Sequence, residues 1–441
     1  MLQAGPEDSG STPAANGISR RNILLAAAAT AGVGAAVSPV LSQPSSAEAA
    51  TVVGDQSRVY YPEQFGFKSG DADHTVAMNA FFLALMKTGG HGYLPPGDIR
   101  VRSTGFNYDD PAIARQVGSG VPYGFPEVIV EGYGRGVTRL RQISGSTGDA
   151  FVVKGKTGTS TGPGANNKAR VTLKNFSIFG TSAGRHGIYT RSLLHSRFVD
   201  LEISGSGKAG IFAAREVFTA ANDEYSYANV IDGLRIINAG SWGYDCDGIN
   251  AIDVVVRDTE IINCISGGVR IAPTNARFDN VRIIGCGQGN KAGRGFLAIP
   301  TTNTASSVSE LNINGIRLEG NSALGGYQLE LSGGVGATVN GYNIVTSGDK
   351  GAHGIGVGVM QLGGIKTARN SLIGRGTMFM GQGSYPSQRA VVVGPDGLDS
   401  RVELMALPND SSATFDDVVA NSGVDTVDQF GKPVTTVPWK G

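Results

Sequence analysis

Between residues 170 and 360 the chain repeats one short phrase seven times, a glycine followed by an apolar or aromatic residue. The glycines recur every 23 to 33 residues. They are Gly187, Gly210, Gly243, Gly268, Gly295, Gly326 and Gly354. A repeat of this length with several short apolar stretches is typical of a solenoid, in which each repeat forms one coil that packs only against its neighbours.

Two columns of apolar residues accompany these glycines. The residues after the glycines are Ile188, Ile211, Tyr244, Val269, Phe296, Tyr327 and Ile355. The second column, ahead of the glycines, is Ile178, Ile203, Ile236, Ile261, Ile283, Leu318 and Ile344. Alternate residues of a strand share a face, so both columns predict inward-facing strand positions. Leucine-rich repeats have a Leu/Asn framework, which this sequence lacks. A sandwich would need strand pairs at hairpin spacing, and the columns would then not line up. The chain is therefore predicted to be all-β, a parallel β-helix.

Composition narrows the possible partners. Lys plus Arg and Asp plus Glu number 37 each, so the formal net charge is zero, and 66 residues are glycine. A generic nucleic-acid binder needs excess positive charge to neutralise phosphates, so nucleic acid is excluded as a partner, and a membrane-surface role gains no support. The three cysteines, Cys246, Cys264 and Cys286, are too few for a disulfide framework. They are predicted to be buried and reduced, with Cys264 and Cys286 adjacent in successive coils.

The first 49 residues are predicted to be a twin-arginine signal peptide. Arg20 and Arg21 precede a mildly apolar stretch over 23–37, and a small-x-small cleavage motif follows at 47–49. This predicts a secreted protein of a prokaryote. No other stretch reaches the roughly 18 apolar residues of a membrane span. The β-helix is predicted over 50–370, and 371–441 is predicted to be a C-terminal cap or an oligomerisation segment, with a homotrimer as one possible assembly.

Three motifs lie ahead of the repeats: FGFKSGDADHT at 65–75, GGHGYLPPGD at 89–98 and VEGYG at 130–134. The sequence resembles the opening of the pectate-lyase-like superfamily, in the branch shared by polygalacturonases, rhamnogalacturonases, epimerase-like lyases and phage tailspikes. This resemblance covers about residues 60 to 370. It implies a right-handed, single-stranded parallel β-helix with an N-terminal capping helix. We predict that helix over Val76–Lys87, with Asp73 at its start as a capping group.

The polygalacturonase site motifs are only partly present. The sequence DCDG at 245–248 partly matches the first motif, but Gly267 and Gly268 stand where two aspartates are expected. The GQG at 287–289 lacks the expected histidine. The resemblance therefore implies the fold and a polysaccharide substrate, and leaves the mechanism open.

The predicted catalytic residues are Asp245, Asp247 and Arg270. The two aspartates are two residues apart on one strand face, which places their Cα atoms about 6.6 Å apart. Side-chain freedom then spans the carboxyl separations of both retaining and inverting glycosidases. Arg270 is predicted to lie one coil away from Asp245 and to hold a carboxylate ionised, while the less paired neighbour stays protonated as the acid. Their alternative role is structural, as an ion pair and turn caps.

The predicted substrate-binding residues lie on the same outward face or on a neighbouring loop. They are Tyr189, Arg191, Gln328, Glu330, Asp223, Glu224 and Tyr225. The last three belong to a long excursion at 217–229, which mixes acids with aromatic rings suited to stacking on sugars. No metal site or cofactor is predicted.

Three functions fit these patterns. Glycoside hydrolysis by Asp245 and Asp247 is the preferred one. The alternative is β-elimination on a uronate polymer, in which Asp245 would orient Arg270 and Arg270, Arg191 or a tyrosine would act on the sugar. A non-enzymatic, tailspike-like carbohydrate-binding solenoid is the third. In every case the predicted partner is a polysaccharide or an oligosaccharide.

Overall fold

Short strands follow one another along the chain with few helices between them. The structure, a computed structural model, describes residues 58–114, 125–156, 168–214, 226, 228–288, 293–299, 310–322, 326–332, 337–346, 352–358, 372–374, 376–380 and 391–393, with short strands between 401 and 438. Contacts divide the chain into residues 1–50 and 51–441, and every described residue belongs to the second unit. In the described part, no helix is long and apolar enough to cross a membrane.

The helices are α1 (Thr75–Thr88) and α2 (Pro111–Ala114), and a 3-10 turn covers Pro62–Phe65. The strands of sheet 1 are β1 (Val59–Tyr60), β2 (Gly90–Tyr93), β3 (Gly97–Val101), β5 (Val128–Glu131), β6 (Thr138–Gln142), β8 (Val171–Lys174), β9 (Ser177–Phe179), β11 (Arg197–Val199), β12 (Glu202–Ser204), β14 (Val230–Asp232), β15 (Arg235–Ile237), β17 (Val255–Ile262), β19 (Ala276–Ile284), β21 (Leu311–Glu319), β23 (Thr338–Thr346), β25 (Leu372–Ile373), β26 (Thr377–Met380), β28 (Arg401–Glu403), β29 (Met405–Ala406) and β31 (Thr426–Val427). The strands of sheet 2 are β4 (Thr104–Asn107), β7 (Phe151–Lys154), β10 (Ile188–Arg191), β13 (Ile211–Ala213), β16 (Trp242–Ile252), β18 (Gly267–Thr274), β20 (Arg294–Ala298), β22 (Tyr327–Leu331), β24 (His353–Val357), β27 (Val391–Val393), β30 (Val418–Ala420) and β32 (Val437–Pro438).

Strands inside the stack pair in parallel with the equivalent strand one coil earlier and one coil later, and strands at its ends pair on one side. In sheet 2, for example, β10 pairs with β7 on one side and with β13 on the other. In sheet 1, β12 pairs with β9 and β15. This topology confirms the predicted all-β, right-handed, single-stranded parallel β-helix.

The core is built from the predicted columns. All seven residues of the second column, from Ile178 to Ile344, have no exposed surface and follow one another in register. At the glycines opposite this column only glycine fits, because there is no room for a Cβ atom. A Cβ on Gly210 would lie 2.4 Å from Cγ2 of Ile236 and 2.7 Å from the carbonyl oxygen of Gly243, which is closer than real Cβ atoms come. We call this series of glycines, with its later members, the glycine column.

The corner between the two strand ribbons of sheet 1 is left-handed in every coil from β8 to β23. Its residues and φ angles are Asn175 (64°), Asp200 (53°), Gly233 (65°), Asp258 (48°), Asn280 (52°), Gly315 (69°) and Gly341 (70°). Asn, Asp and Gly are the residues that adopt this conformation at low cost. The high glycine content therefore serves both corners and the crowded glycine column.

Two boundaries differ from the prediction. The glycine column continues from Gly295 to Gln328 rather than to Gly326, because Phe296 pairs with Leu329 and Arg294 with Tyr327. The inward position assigned to Tyr327 is therefore wrong, and Leu329 occupies it. The sheets also do not end at residue 370, since parallel pairing continues through β32. The cap or oligomerisation role of 371–441 stays a prediction.

Helix α1 covers the first coils, as the resemblance implies. Phe81, Phe82 and Leu85 have no exposed surface. The ring of Phe82 lies 4.9 Å from that of Phe106 and 5.3 Å from that of Phe151, in edge contacts. The N-cap residue is His74, and Asp73 just before it supports the helix start, because its Oδ1 accepts a hydrogen bond of 2.9 Å from the Thr75 N–H. The hydrogen bond from the Thr75 hydroxyl, followed by this bond from the Thr75 N–H, lowers the pKa of the Asp73 carboxyl.

The three cysteines are buried free thiols. Cys264 and Cys286 are adjacent, as predicted, and the Cys264 N–H donates to the sulfur of Cys286 at 3.3 Å. Burial raises the pKa of the Cys286 thiol well above its usual value.

Candidate functional site

The outer face of sheet 2 carries two rows of side chains on either side of the glycine column. The central row is Val152, Tyr189, Phe212, Asp245, Arg270, Leu297, Glu330 and Gly356. The edge row is Trp242, Gly267, Arg294, Tyr327 and His353. Since parallel strands stack about 4.8 Å apart, each row places one residue per coil at that spacing, and only Gly267 and Gly356 of these residues contribute no side chain.

Asp245 and Arg270 form a bidentate ion pair in the middle of the central row. Nε of Arg270 donates to Oδ1 at 2.7 Å, and Nη2 donates to Oδ2 at 2.8 Å. The pair forms because the register of β16 and β18 sets the two residues directly opposite each other. The Asp245 side chain is only 6% exposed, whereas that of Arg270 is 29% exposed. The guanidinium therefore forms the accessible surface of this pair.

A second buried pair lies further along the same face. The Glu330 carboxylate has no exposed surface and accepts hydrogen bonds from Arg294 and from the Ser332 hydroxyl. Arg294 also donates to the carbonyl oxygen of Gly293 at 3.0 Å. Its guanidinium carbon lies 5.3 Å from the centre of the Tyr327 ring. Three coil steps separate Asp245 from Glu330, about 14 Å, so these two carboxylates do not form an acid/base pair.

Half-exposed aromatic rings flank the two pairs. The indole of Trp242 lies flat across Gly267, where an added Cβ would meet the ring carbon Cζ3 at 2.2 Å. The guanidinium of Arg270 lies 5.8 Å from the same indole. Tyr327 and His353 have ring centres 5.0 Å apart. Along this face the guanidinium groups of Arg270 and Arg294 therefore lie in two consecutive coils, with aromatic rings in the coils before and after them.

His186 packs at the N-terminal end of this face, in the coil that contains β10. Its ring stacks on Phe212, with ring centres 4.4 Å apart and planes 11° from parallel. Nδ1 accepts a hydrogen bond from the Ala209 N–H at 3.2 Å, so the ring is neutral and carries its proton on Nε2. Burial, with Arg185 and Lys208 nearby, lowers the pKa of His186 to about 4. Burial also raises the pKa of the neighbouring Asp149 carboxyl, which accepts a hydrogen bond from the backbone N–H of His186.

The structure places some of the predicted site residues together. Asp245 and Arg270 lie in register one coil apart, and Tyr189 is half-exposed in the same row. Arg191, at the end of β10, is also half-exposed. The backbone of Asp247 lies in β16, but its side chain is outside the described residues. The loop residues Asp223, Glu224 and Tyr225 are outside them as well.

Three predicted positions require correction. Asp245 does not face solvent, because Arg270 covers both of its carboxylate oxygens. Gln328 is buried in the glycine column and is bonded to Asn321 through both ends of its amide, so it does not contact a substrate. Glu330 is in the central row but is fully buried beneath Arg294, so the guanidinium of Arg294 is the accessible part of this pair.

Sequence reasoning missed Trp242, Arg294, Tyr327, His353 and His186. A signal was available for four of them, since Trp242, Arg294, His353 and His186 each immediately precede a glycine of the column, whereas Tyr327 follows Gly326 and precedes Gln328. Strand alternation is regular after the glycines, whereas these four residues lie on the other side of the glycines. Among the described residues, no group of three or more His, Cys, Asp or Glu is arranged to hold a metal ion.

Comparison with known proteins adds little to this geometry. No protein-family model matches the chain, and no curated protein does. Similar solved structures include the A-module of an Azotobacter vinelandii mannuronan C-5 epimerase, with a TM-score of 0.47 and 14% identity over 83% of this chain and 89% of that one. They also include tailspike protein 2 of an Escherichia coli O157:H7 bacteriophage, at 0.44 and 13% over 83% and 46%. The catalytic unit of a Streptomyces thermodiastaticus GH87 α-1,3-glucanase gives 0.41 and 11% over 89% and 71%.

A Geobacillus virus E2 protein, ORF18, matches with a TM-score of 0.43 and 12% identity. This chain spans 61% of that protein's length, and 46% of the tailspike's. At these identities and TM-scores the likeness supports no conclusion on activity.

Proposed function

We propose that the outer face of sheet 2 binds a polysaccharide and that the chain cleaves its glycosidic bonds. The observation that carries this proposal is the series of half-exposed rings and guanidinium groups, one per coil, from Tyr189 to Tyr327. Five coil steps separate these two residues, about 24 Å. A ligand made of repeated units matches a surface made of repeated coils. Sugar rings present apolar faces that pack on aromatic side chains and hydroxyls that need hydrogen-bond partners.

The two buried ion pairs support binding by holding their arginines still. Asp245 fixes Arg270, and Glu330 fixes Arg294, so neither guanidinium must lose side-chain freedom when a ligand arrives. Preorganised donors of this kind bind more tightly than mobile ones. Each arginine also keeps N–H groups that its carboxylate partner does not use, since a guanidinium carries five donors.

Hydrolysis remains the predicted reaction. Asp247 would be the general acid that protonates the leaving oxygen, and Asp245 the ionised partner two residues earlier on the same strand. The bidentate bonds from Arg270 support an ionised Asp245. They also occupy both of its oxygens, which weakens it as a base or nucleophile.

Elimination is the second candidate, and the same pair favours it. A lyase needs a cation to neutralise the uronate carboxylate before the α-proton is removed. Arg270 fits this role because Asp245 orients it and its guanidinium is the accessible part of the pair. The base would come from a neighbouring tyrosine or arginine.

Digesting a panel of neutral and uronate-containing polysaccharides tests the proposal. New reducing ends together with ultraviolet absorbance from an unsaturated uronate indicate a lyase, and reducing ends alone indicate a hydrolase. Arg270→Lys removes the bidentate geometry and should lower activity by about 10²-fold. Arg257→Lys is the matched control, because Arg257 pairs with Asp232 one coil away on sheet 1. Binding without either signal on any polymer would overturn the enzymatic function.

A further inference from the structure

A cavity of about 500 Å³ lies between helix α1 and the first strands of sheet 2. Its polar lining includes Asn79, Ser103, Asn107 and Asp110, and its apolar lining includes Leu83 and Met86. This volume is within the usual range for small-ligand sites. The cavity is therefore large enough for a sugar ring and offers amide, hydroxyl and carboxylate groups beside an apolar wall.

The cavity continues the central row. Val152, which lines it, lies directly opposite Tyr189, and Gly105 lies opposite Val152 on the other side. Gly105 has a φ of +126°, and a Cβ there would lie 2.2 Å from the carbonyl oxygen of Val152. Only glycine fits this position, so the floor of the cavity stays flat. A polymer that lies along the central row would reach the cavity one coil beyond Tyr189.

Helix α1 forms the wall at which the outer face ends. Ala80 and Leu83 line the cavity, while Phe82 between them is locked into the core against Phe106 and Phe151. Met86, also in the lining, is 5% exposed. Because the helix is anchored by buried aromatic contacts, it acts as a fixed end to the groove.

Charge indicates the kind of sugar that fits. None of the described residues lining the cavity is Lys or Arg, and one, Asp110, is acidic. Its Oδ1 accepts a hydrogen bond from the Ala112 N–H at 2.8 Å. A uronate or a phosphate would meet this carboxylate without a compensating cation. A neutral sugar would bring no charge to this carboxylate, and its hydroxyls could pair with the polar groups of the lining.

We propose that this cavity binds the neutral terminal sugar of the polysaccharide and thereby makes cleavage start from a chain end. The inference rests on the proposed function, since it extends the same binding face. End-directed cleavage releases short products while the remaining polymer stays long. The solution viscosity should then fall only in proportion to the new reducing ends.

The test uses the mature chain and the polysaccharide of the panel that it cleaves fastest. Ala80→Trp fills the cavity, and Val76→Trp is the control, because Val76 lies on the same helix but is 85% exposed. Ala80→Trp should lower kcat/KM on short oligosaccharides about tenfold, as expected for the loss of one or two hydrogen bonds. It should also shift products from short to mixed lengths, whereas Val76→Trp should match the parent chain. Asn107→Leu, which keeps the helix unchanged, should shift kcat/KM and products in the same direction.

Two results would overturn the inference: an early collapse of viscosity with the parent chain, or identical product patterns for Ala80→Trp and Val76→Trp. If no polysaccharide is cleaved, the proposed function fails by itself. The cavity is then tested by nuclear magnetic resonance with glucose, galactose, mannose and rhamnose. Binding by the parent chain that Ala80→Trp abolishes would support the cavity as a sugar site, and no binding to any of them would refute it.

Discussion

Two ion pairs have the same register between coils but differ in how deeply they are buried. Asp245 pairs with Arg270, and Asp232 pairs with Arg257, in both cases one coil apart in register. The Asp245 side chain is 6% exposed and that of Arg270 is 29% exposed. The corresponding values for Asp232 and Arg257 are 21% and 45%. Water therefore screens the second pair far more than the first.

We expect Asp245→Asn to destabilise the chain by about 3 kcal/mol, because it leaves Arg270 without its charge partner in a partly buried site. Asp232→Asn should cost at most about 1 kcal/mol, since exposed pairs contribute little. Urea denaturation of both variants measures the difference. Equal losses of stability would show that Asp245 is no more dependent on its partner than a surface aspartate.

His186 makes stability depend on pH. Its folded pKa is about 4, below the value of roughly 6.5 in an unfolded chain. Between these values the unfolded chain binds a proton that the folded chain does not, so stability falls as pH falls through this window. The contribution is complete above about pH 6.5 and is lost below about pH 4.

The variant His186→Phe keeps a ring on Phe212 but cannot titrate. We expect it to melt below the parent chain at pH 7.5, because the Ala209 N–H loses its acceptor. The gap in Tm should shrink or reverse at pH 4.5, because protonation of His186 in the unfolded state lowers the stability of the parent chain alone. A gap of the same size at both pH values would contradict a buried neutral imidazole. Arg185 and Lys208 lie near the ring, Asp149 accepts from the backbone N–H of His186, and all three are unchanged in this comparison.

At the scale of one coil, the corner residues set the direction of the chain. Asn280 has a φ of 52°, and the equivalent residue of the next coil is Gly315. The Asn280 side chain also donates a hydrogen bond of 2.7 Å to the Asp258 carboxylate in the preceding coil. The corner thus combines a left-handed backbone with a contact between coils.

We expect Asn280→Val to cost about 1–2 kcal/mol, because a β-branched residue is strained in the left-handed region. Asn280→Gly loses the same side-chain bond but keeps the conformation, so it should cost less. Asn312→Val, at an exposed position within β21, should change stability by no more than about 0.5 kcal/mol, since valine suits a strand. Thermal melts of the three variants give the ranking. A tolerated valine at 280 would mean that the corner is not held in the left-handed region.

At the scale of the whole molecule, the chain stacks coil on coil, with helix α1 over the first coils and parallel pairing through β32. A solenoid of this kind is stabilised by contacts between neighbouring coils. The predicted twin-arginine signal serves proteins that fold before they cross the membrane. Such a route would suit a chain whose coils stabilise one another only once they are stacked.

The export prediction is tested by replacing Arg20 and Arg21 with lysine. The variant should accumulate inside the cell as a folded protein, because only the signal is altered. Fractionation of cells with limited proteolysis measures both location and folding. Secretion of the variant at the parent level would exclude this route.

The sequence by itself determined the coil period, the inward columns and the register of Asp245 with Arg270. These features follow from strand alternation and from a repeat length that neighbouring residues specify locally. Ile261, for example, is inward because it is the apolar member of an alternating stretch, and it has no exposed surface. The left-handed corners follow in the same way from Asn, Asp and Gly at one position of each coil.

Only the tertiary structure decided where the repeat departs from its pattern. Gln328 occupies a glycine position because Asn321, seven residues earlier, binds both ends of its amide, and this turns Tyr327 outward. Asp245 is buried because an arginine from the next coil covers it, and Glu330 is buried because an arginine from the preceding coil covers it. Alternation assigns a side chain to a face, but its exposure depends on the length and charge of residues in other coils, which the local pattern does not contain.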